Sequence, residues 1–123
     1  MKILIADDSR FLQNFLIRIL NKYVPEGEIL IANNGLEAMQ IFQREKPAFI
    51  LTDLLMPELS GQELLRSIKS YDKQANVIVI SADIQNSTRE EVQGLGALAF
   101  FNKPLTNETV EELITLIKET ALA

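Results

Sequence analysis

Four apolar runs in this chain each end on a different polar group, and the groups form a chemical set. Asp7 and Asp8 follow Ile3-Leu4-Ile5-Ala6, and Asp53 follows Ala48-Phe49-Ile50-Leu51-Thr52. Ser81 follows Val77-Ile78-Val79-Ile80, and Lys103-Pro104 comes just after Phe100-Phe101. An acid at a strand end is a nucleophile candidate, because the carboxyl ends of strands in open α/β sheets border ligand crevices. If these runs are neighbouring parallel strands, three carboxylates, a hydroxyl and an ammonium meet at one sheet edge. That set suits a divalent cation and a phosphoryl group carried on a carboxylate. A carboxylate attacking a phosphoryl donor needs its repulsion neutralised and the donor held in line. Mg²⁺ serves both ends, taking oxygen ligands in octahedral geometry while keeping some of its waters. Asp7, Asp8 and Asp53 offer the oxygens, Lys103 a point charge, and Ser81 a hydroxyl donor. Adjacent strand residues face opposite ways, so Asp7 and Asp8 converge only if the backbone bends as the strand ends. One of them is expected to bind metal directly and the other more through water.

Positioning such a set requires elements that alternate. Strand-like runs fall at about 2–6, 28–32, 48–52, 76–80 and 98–101. Their near-continuous apolar character predicts strands buried on both faces, as in a parallel sheet covered by helices. Between them, Phe11, Leu12, Phe15, Leu16, Ile19, Leu20 and Tyr23 recur at helical spacing behind Ser9, a candidate N-cap. Asn34 with Glu37, Ser60 with Glu63, and Ser87 with Glu90 each read as a capping box opening a later helix. Val110, Leu113, Ile114 and Ile117 stripe the last helix, with Glu111, Glu112 and Lys118 outside the stripe. These stripes read as core. The (βα)₅ pattern predicts an α/β domain with a doubly wound five-stranded parallel sheet and helices on both faces, since crossovers are right-handed.

Composition bounds the function. A chain of 123 residues suffices for one domain with its own core, so a single domain over 1–123 without an output domain is expected. The net charge of −5 disfavours direct nucleic-acid binding, which needs a basic patch. The apolar runs are far shorter than the ~20 residues of a membrane span. Met1-Lys2 leads straight into a strand-like run, so no signal peptide is expected, and the location is expected to be cytoplasmic. Absence of cysteine excludes disulfides and thiolate chemistry. Absence of histidine excludes a phosphohistidine of its own, so a histidine phosphodonor must be another protein.

These residues together resemble the response-regulator receiver domain of two-component signalling. The resemblance runs over the whole chain and rests on Asp7-Asp8, Asp53 with Met56-Pro57 and Gly61, Ser81-Ala82, and Gly96-Ala97 followed by Phe100 and Lys103-Pro104. It implies a flavodoxin-like receiver fold with Asp53 as phosphoacceptor. The donor would be a histidine kinase, a histidine phosphotransfer protein or a small phosphodonor. Asp8 and Asp53 would bind Mg²⁺ with the Leu55 backbone carbonyl, and Asp7 would act mainly through water. Ser81 and Phe100 would be the switch pair, Ser81 moving towards the phosphoryl group and the Phe100 ring swinging inwards to fill the vacated space; Lys103 would hold phosphoryl oxygens, and the Lys103-Pro104 bond would be cis. The output would be a changed surface of helix 4, strand 5 and helix 5 that binds a separate target, from a monomer or a phosphorylation-linked dimer, in chemotaxis or a phosphorelay.

Several positions depart from the commonest pattern. Phe100 lacks a tyrosine hydroxyl, so its switch is expected to rest on packing alone, and Phe101 beside it competes for the core. Leu55 puts an apolar side chain, and Asp83 a carboxylate, beside the phosphoryl pocket. An aspartate-dependent phosphohydrolase would share the aspartyl phosphate and Mg²⁺. It typically carries a second acid where this chain has Leu55, and it needs a substrate cap. A nucleotide-binding domain would need a G-x-G-x-x-G or a P-loop, and neither is present.

Overall fold

Strand pairing sets the architecture. The computed structural model describes residues 1–122. Its strands are β1 (Lys2–Ala6), β2 (Glu28–Ala32), β3 (Phe49–Thr52), β4 (Asn76–Ser81) and β5 (Ala99–Asn102). They form one parallel sheet in the order β2-β1-β3-β4-β5. Five helices connect or follow them: α1 (Arg10–Tyr23), α2 (Gly35–Glu45), α3 (Gly61–Tyr71), α4 (Asn86–Gly94) and α5 (Asn107–Leu122). The doubly wound α/β reading is therefore correct. Chain order reverses between β1 and β3, where Ala6 stands level with Thr52, and ligands bind at such a switch point. Ser81 is the last residue of β4, and it stands level with Asn102 at the end of β5.

The sheet separates two cores. Leu4, Ala6, Ile50, Val77 and Val79 face α2, α3 and α4, while Ile3, Ile5, Leu51, Ile78 and Ile80 face α1 and α5. Both sets are buried, which explains why the strands read as continuous rather than alternating apolar runs. Phe100 and Phe101 share this arrangement: both are buried, one in each core, so neither excludes the other.

Capping fixes three helix starts at the site edge. Ser9 Oγ accepts from the Leu12 N–H, and Asn34 Oδ1 accepts from the Glu37 N–H. Ser60 and Glu63 form a reciprocal capping box. The expectation for Ser87 and Glu90 fails. α4 begins one residue before Ser87, and its N-cap, Gln85, makes no side-chain cap bond. The role passes upstream to Asp83, whose Oδ1 accepts from the Gln85 N–H and whose Oδ2 accepts from the Thr88 hydroxyl.

The α1 stripe is also narrower than its apolar residues suggest. Phe11 is 81% exposed and Tyr23 42% exposed, whereas Gln13, Leu16 and Leu20 are buried. At about 100° per residue, Phe11 lies on the far side of the helix from Leu16. A polar residue takes the buried position instead.

Candidate functional site

The strand ends place the predicted residues together. Just beyond β1, the Asp7 N–H donates to the Ala32 carbonyl at 3.1 Å. The chain turns there, because Asp7 Oδ1 accepts from the Ser9 N–H at 2.7 Å. That turn buries the Asp7 side chain and leaves Asp8 exposed at the mouth. Just beyond β3, the Asp53 N–H donates to the Ala6 carbonyl at 3.0 Å, and its Oδ1 accepts from the Leu54 N–H at 2.7 Å. One carboxylate oxygen from each of Asp7, Asp8 and Asp53 lies within 4.8 Å of the others.

Lys103 closes the set. Its N–H donates to the Ser81 carbonyl at 2.9 Å, and the Lys103-Pro104 bond is cis. Its Nζ lies 3.0 Å from Asp7 Oδ2 and 3.1 Å from Asp53 Oδ2, so one ammonium bridges two acids. Burial pushes the Asp7 carboxyl above its usual value, against the Ser9 N–H and Lys103, which pull it down. Burial also works to lower the Lys103 ammonium, but Asp7 and Asp53 outweigh it and raise the group overall. Three carboxylates face one ammonium, so the pocket is short of positive charge. Three hard oxygen donors in such a pocket fit a small divalent cation.

Ser81 is buried, and its Oγ accepts from the Asp83 N–H at 3.1 Å, which leaves the hydroxyl hydrogen for a further partner. An open cleft of about 400 Å³ runs beside it, lined among others by Asp53, Leu55, Gln62, Ser81 and Asp83. The Leu55 side chain is 85% exposed at its rim. Asp83 does not present an idle carboxylate there. The Gln85 N–H and the Thr88 hydroxyl bind it and hold its carboxyl below the usual range.

The Phe100 ring is buried, and the Arg89 guanidinium lies over it at 4.6 Å from the centroid. Sequence reasoning also missed Gln13. Its Nε2 donates to the Asp7 carbonyl at 2.6 Å and to Asn33 Oδ1 at 2.8 Å, holding the β1 turn against the β2 turn. Its signal was a polar residue at the core spacing of Leu16 and Leu20. Arg89 carried no comparable signal.

A family model for the response regulator receiver domain matches residues 3–115. Sporulation initiation phosphotransferase F of Bacillus subtilis is 33% identical over 114 residues, covering 92% of this chain and 90% of that protein. The chemotaxis protein CheY of Thermotoga maritima is 32% identical over 120 residues, covering 96% and 98%. A response regulator receiver domain protein of Clostridium thermocellum, known from a crystal structure, superposes with a TM-score of 0.84. It is 25% identical, and the match covers 99% of this chain and 98% of that one.

Proposed function

Because the chain belongs to the response regulator receiver family of two-component signalling, we propose that Asp53 is its phosphoacceptor and that the acyl phosphate switches binding to a separate target. The observation that carries this reading is the Lys103 ammonium held between Asp7 and Asp53, within a cluster of three carboxylates at the sheet's switch point. With its Oδ1 held by the Leu54 N–H, Asp53 directs Oδ2 towards the pocket. An Asp53 oxygen attacks the phosphorus of a partner's phosphohistidine or of a small acyl phosphate. The new O–P bond forms as the donor's P–N or P–O bond breaks, and the leaving group departs with its electron pair.

Asp8 and Asp53, with the Leu55 carbonyl, would hold Mg²⁺, and Asp7 would act mainly through water. When bound, the ion supplies positive charge against the phosphoryl oxygens. Lys103 moves its contact from the carboxylates to a phosphoryl oxygen, and the Ser81 hydroxyl donates its hydrogen to another. Phe100, against Arg89, carries the change to the surface of α4, β5 and α5. The chain catalyses its own modification rather than turnover of a substrate. Since this chain has no histidine, a phosphohistidine donor would be another protein, a histidine kinase or a histidine phosphotransfer protein.

Incubation with Mg²⁺ and acetyl phosphate, followed by intact mass measurement, tests the reading. One added phosphoryl group is expected, labile to hydroxylamine and absent both without metal and in Asp53→Asn. A stable adduct on a serine, or steady turnover of many phosphate esters, refutes it.

A further inference from the structure

Arg89 makes two contacts that the phosphoacceptor site does not require. From α4, its guanidinium lies 4.6 Å from the centre of the Phe100 ring. The same group donates through Nη2 to Asn102 Oδ1 at 3.2 Å. Asn102, at the end of β5, then donates through Nδ2 to the carbonyls of Ser81 at 3.3 Å and Asp83 at 2.9 Å. A continuous polar path therefore joins the Phe100 ring face to the backbone that carries the Ser81 hydroxyl. The Asp83 N–H closes it by donating to Ser81 Oγ.

We propose that Arg89 is a latch: it holds Phe100 inward and, through Asn102, ties the ring's position to that of the Ser81–Asp83 segment. The physical case rests on geometry and burial. Phe100 is buried, and Arg89 is half-buried, so the cation over the ring is partly screened from water and is stronger than at an exposed site. A planar guanidinium can lie on a ring face and donate in its own plane at once, which an ammonium does less well. Asn102 uses both ends of its amide, so it cannot follow Arg89 without disturbing Ser81. When Ser81 reorients, the Asp83 N–H loses its acceptor and the pull reaches Arg89 through Asn102. Arg89 is a positioning residue, since it touches neither Asp53 nor Lys103.

The coupling half of this proposal rests on Asp53 being phosphorylated, whereas the latch itself does not. Fluorine NMR of protein labelled with fluorophenylalanine, with Phe100 assigned through Phe100→Leu, separates the two. In the free protein, Arg89→Met keeps the aliphatic stem but is expected to shift the ratio of outward to inward ring roughly tenfold. Asn102→Ala keeps the cation over the ring, so the free Phe100 signal stays at its wild-type position. After acetyl phosphate treatment, the wild-type Phe100 signal moves. In Asn102→Ala the Asp53 adduct still forms, but the Phe100 signal no longer moves.

A Phe100 signal in Arg89→Met that matches wild type in the free protein overturns the latch. A full Phe100 response in phosphorylated Asn102→Ala overturns the coupling. If wild type itself takes no phosphoryl group, the reading of Asp53 fails, while the free-state comparison still decides the latch.

Discussion

Replacing Gly61 by alanine is expected to damage both the fold and the chemistry, because the β3–α3 turn closes directly on this residue. A Cβ added at Gly61 would overlap the Asp53 carbonyl oxygen and sit 2.6 Å from Leu54 Cα. Carbon atoms pack at about 3.5–4.0 Å, so the turn must open by roughly 1 Å. The obstructing atoms are backbone and cannot rotate away, and the Gly61 N–H to Leu54 carbonyl bond of 2.8 Å ties the same residues. Overpacking of this kind costs about 1–3 kcal/mol, and the upper part of that range applies to a backbone clash. Alanine recovers up to ~1 kcal/mol of helix propensity, less at the first residue of α3. The net loss is then about 2 kcal/mol, or roughly 8 °C of melting temperature for a domain of this size. The same opening displaces Asp53, and a 1 Å misplacement of a reacting group costs on the order of 10²-fold in rate. Circular dichroism melts and the acetyl phosphate labelling rate measure the two effects. Gly94→Ala serves as the control, since nothing lies within 4 Å of a Cβ there. A Gly61→Ala protein that melts within about 2 °C of wild type and labels at the wild-type rate refutes the argument.

Two further predictions concern pH. The Asp7 carboxyl is raised by burial, so the folded state holds this proton more tightly than the unfolded chain does. Its ionisation therefore penalises the fold above the raised value, and the penalty disappears as pH falls through it. In metal-free buffer, Asp7→Asn is expected to melt higher than wild type near neutral pH, with the gap shrinking in acid; a lower-melting variant at every pH contradicts this. Glu63 behaves oppositely, because the Ser60 N–H and hydroxyl depress its carboxyl below the ordinary 4.5. Its stabilisation is complete above the ordinary value and is lost as pH falls through the depressed one. The melting deficit of Glu63→Ala should be full at neutral pH and fade in strong acid, and a deficit that stays constant through that range excludes the charged capping box as its cause.

The parts of this molecule legible in the sequence are those set by local pattern. Strand boundaries fell within one residue, because buried parallel strands are written as unbroken aliphatic runs. Ser9 and Ser60 were legible as caps because a cap depends only on its own next turn. The errors arose where a distant residue decides. α4 starts one residue before Ser87 because Asp83, outside the helix, already holds Gln85 and Thr88. Phe11 is solvent-facing because the turn fixed by Asp7 aims Gln13, not Phe11, at the sheet end. Arg89 over Phe100 joins two elements that sequence spacing does not connect.

The electrostatics of the free pocket bear on the chemistry proposed for it. Three carboxylates converge there, and among the described residues Lys103 is the one cation in contact with any of them. Full neutralisation by a second lysine would favour the fold, yet it would leave the pocket little affinity for a divalent ion. With Lys103 alone the deficit of positive charge persists, and the Asp53 carboxylate adds to the upward push that burial puts on Asp7. A ligand that brings positive charge would relieve this imbalance, and under the function proposed above the same ion would offset the charge of an incoming phosphoryl group. Gln13, Ser9 and Leu54 limit how the acids can relax. Their donors hold the Asp7 carbonyl, Asp7 Oδ1 and Asp53 Oδ1 in place, so the two acids keep facing each other across the Lys103 ammonium.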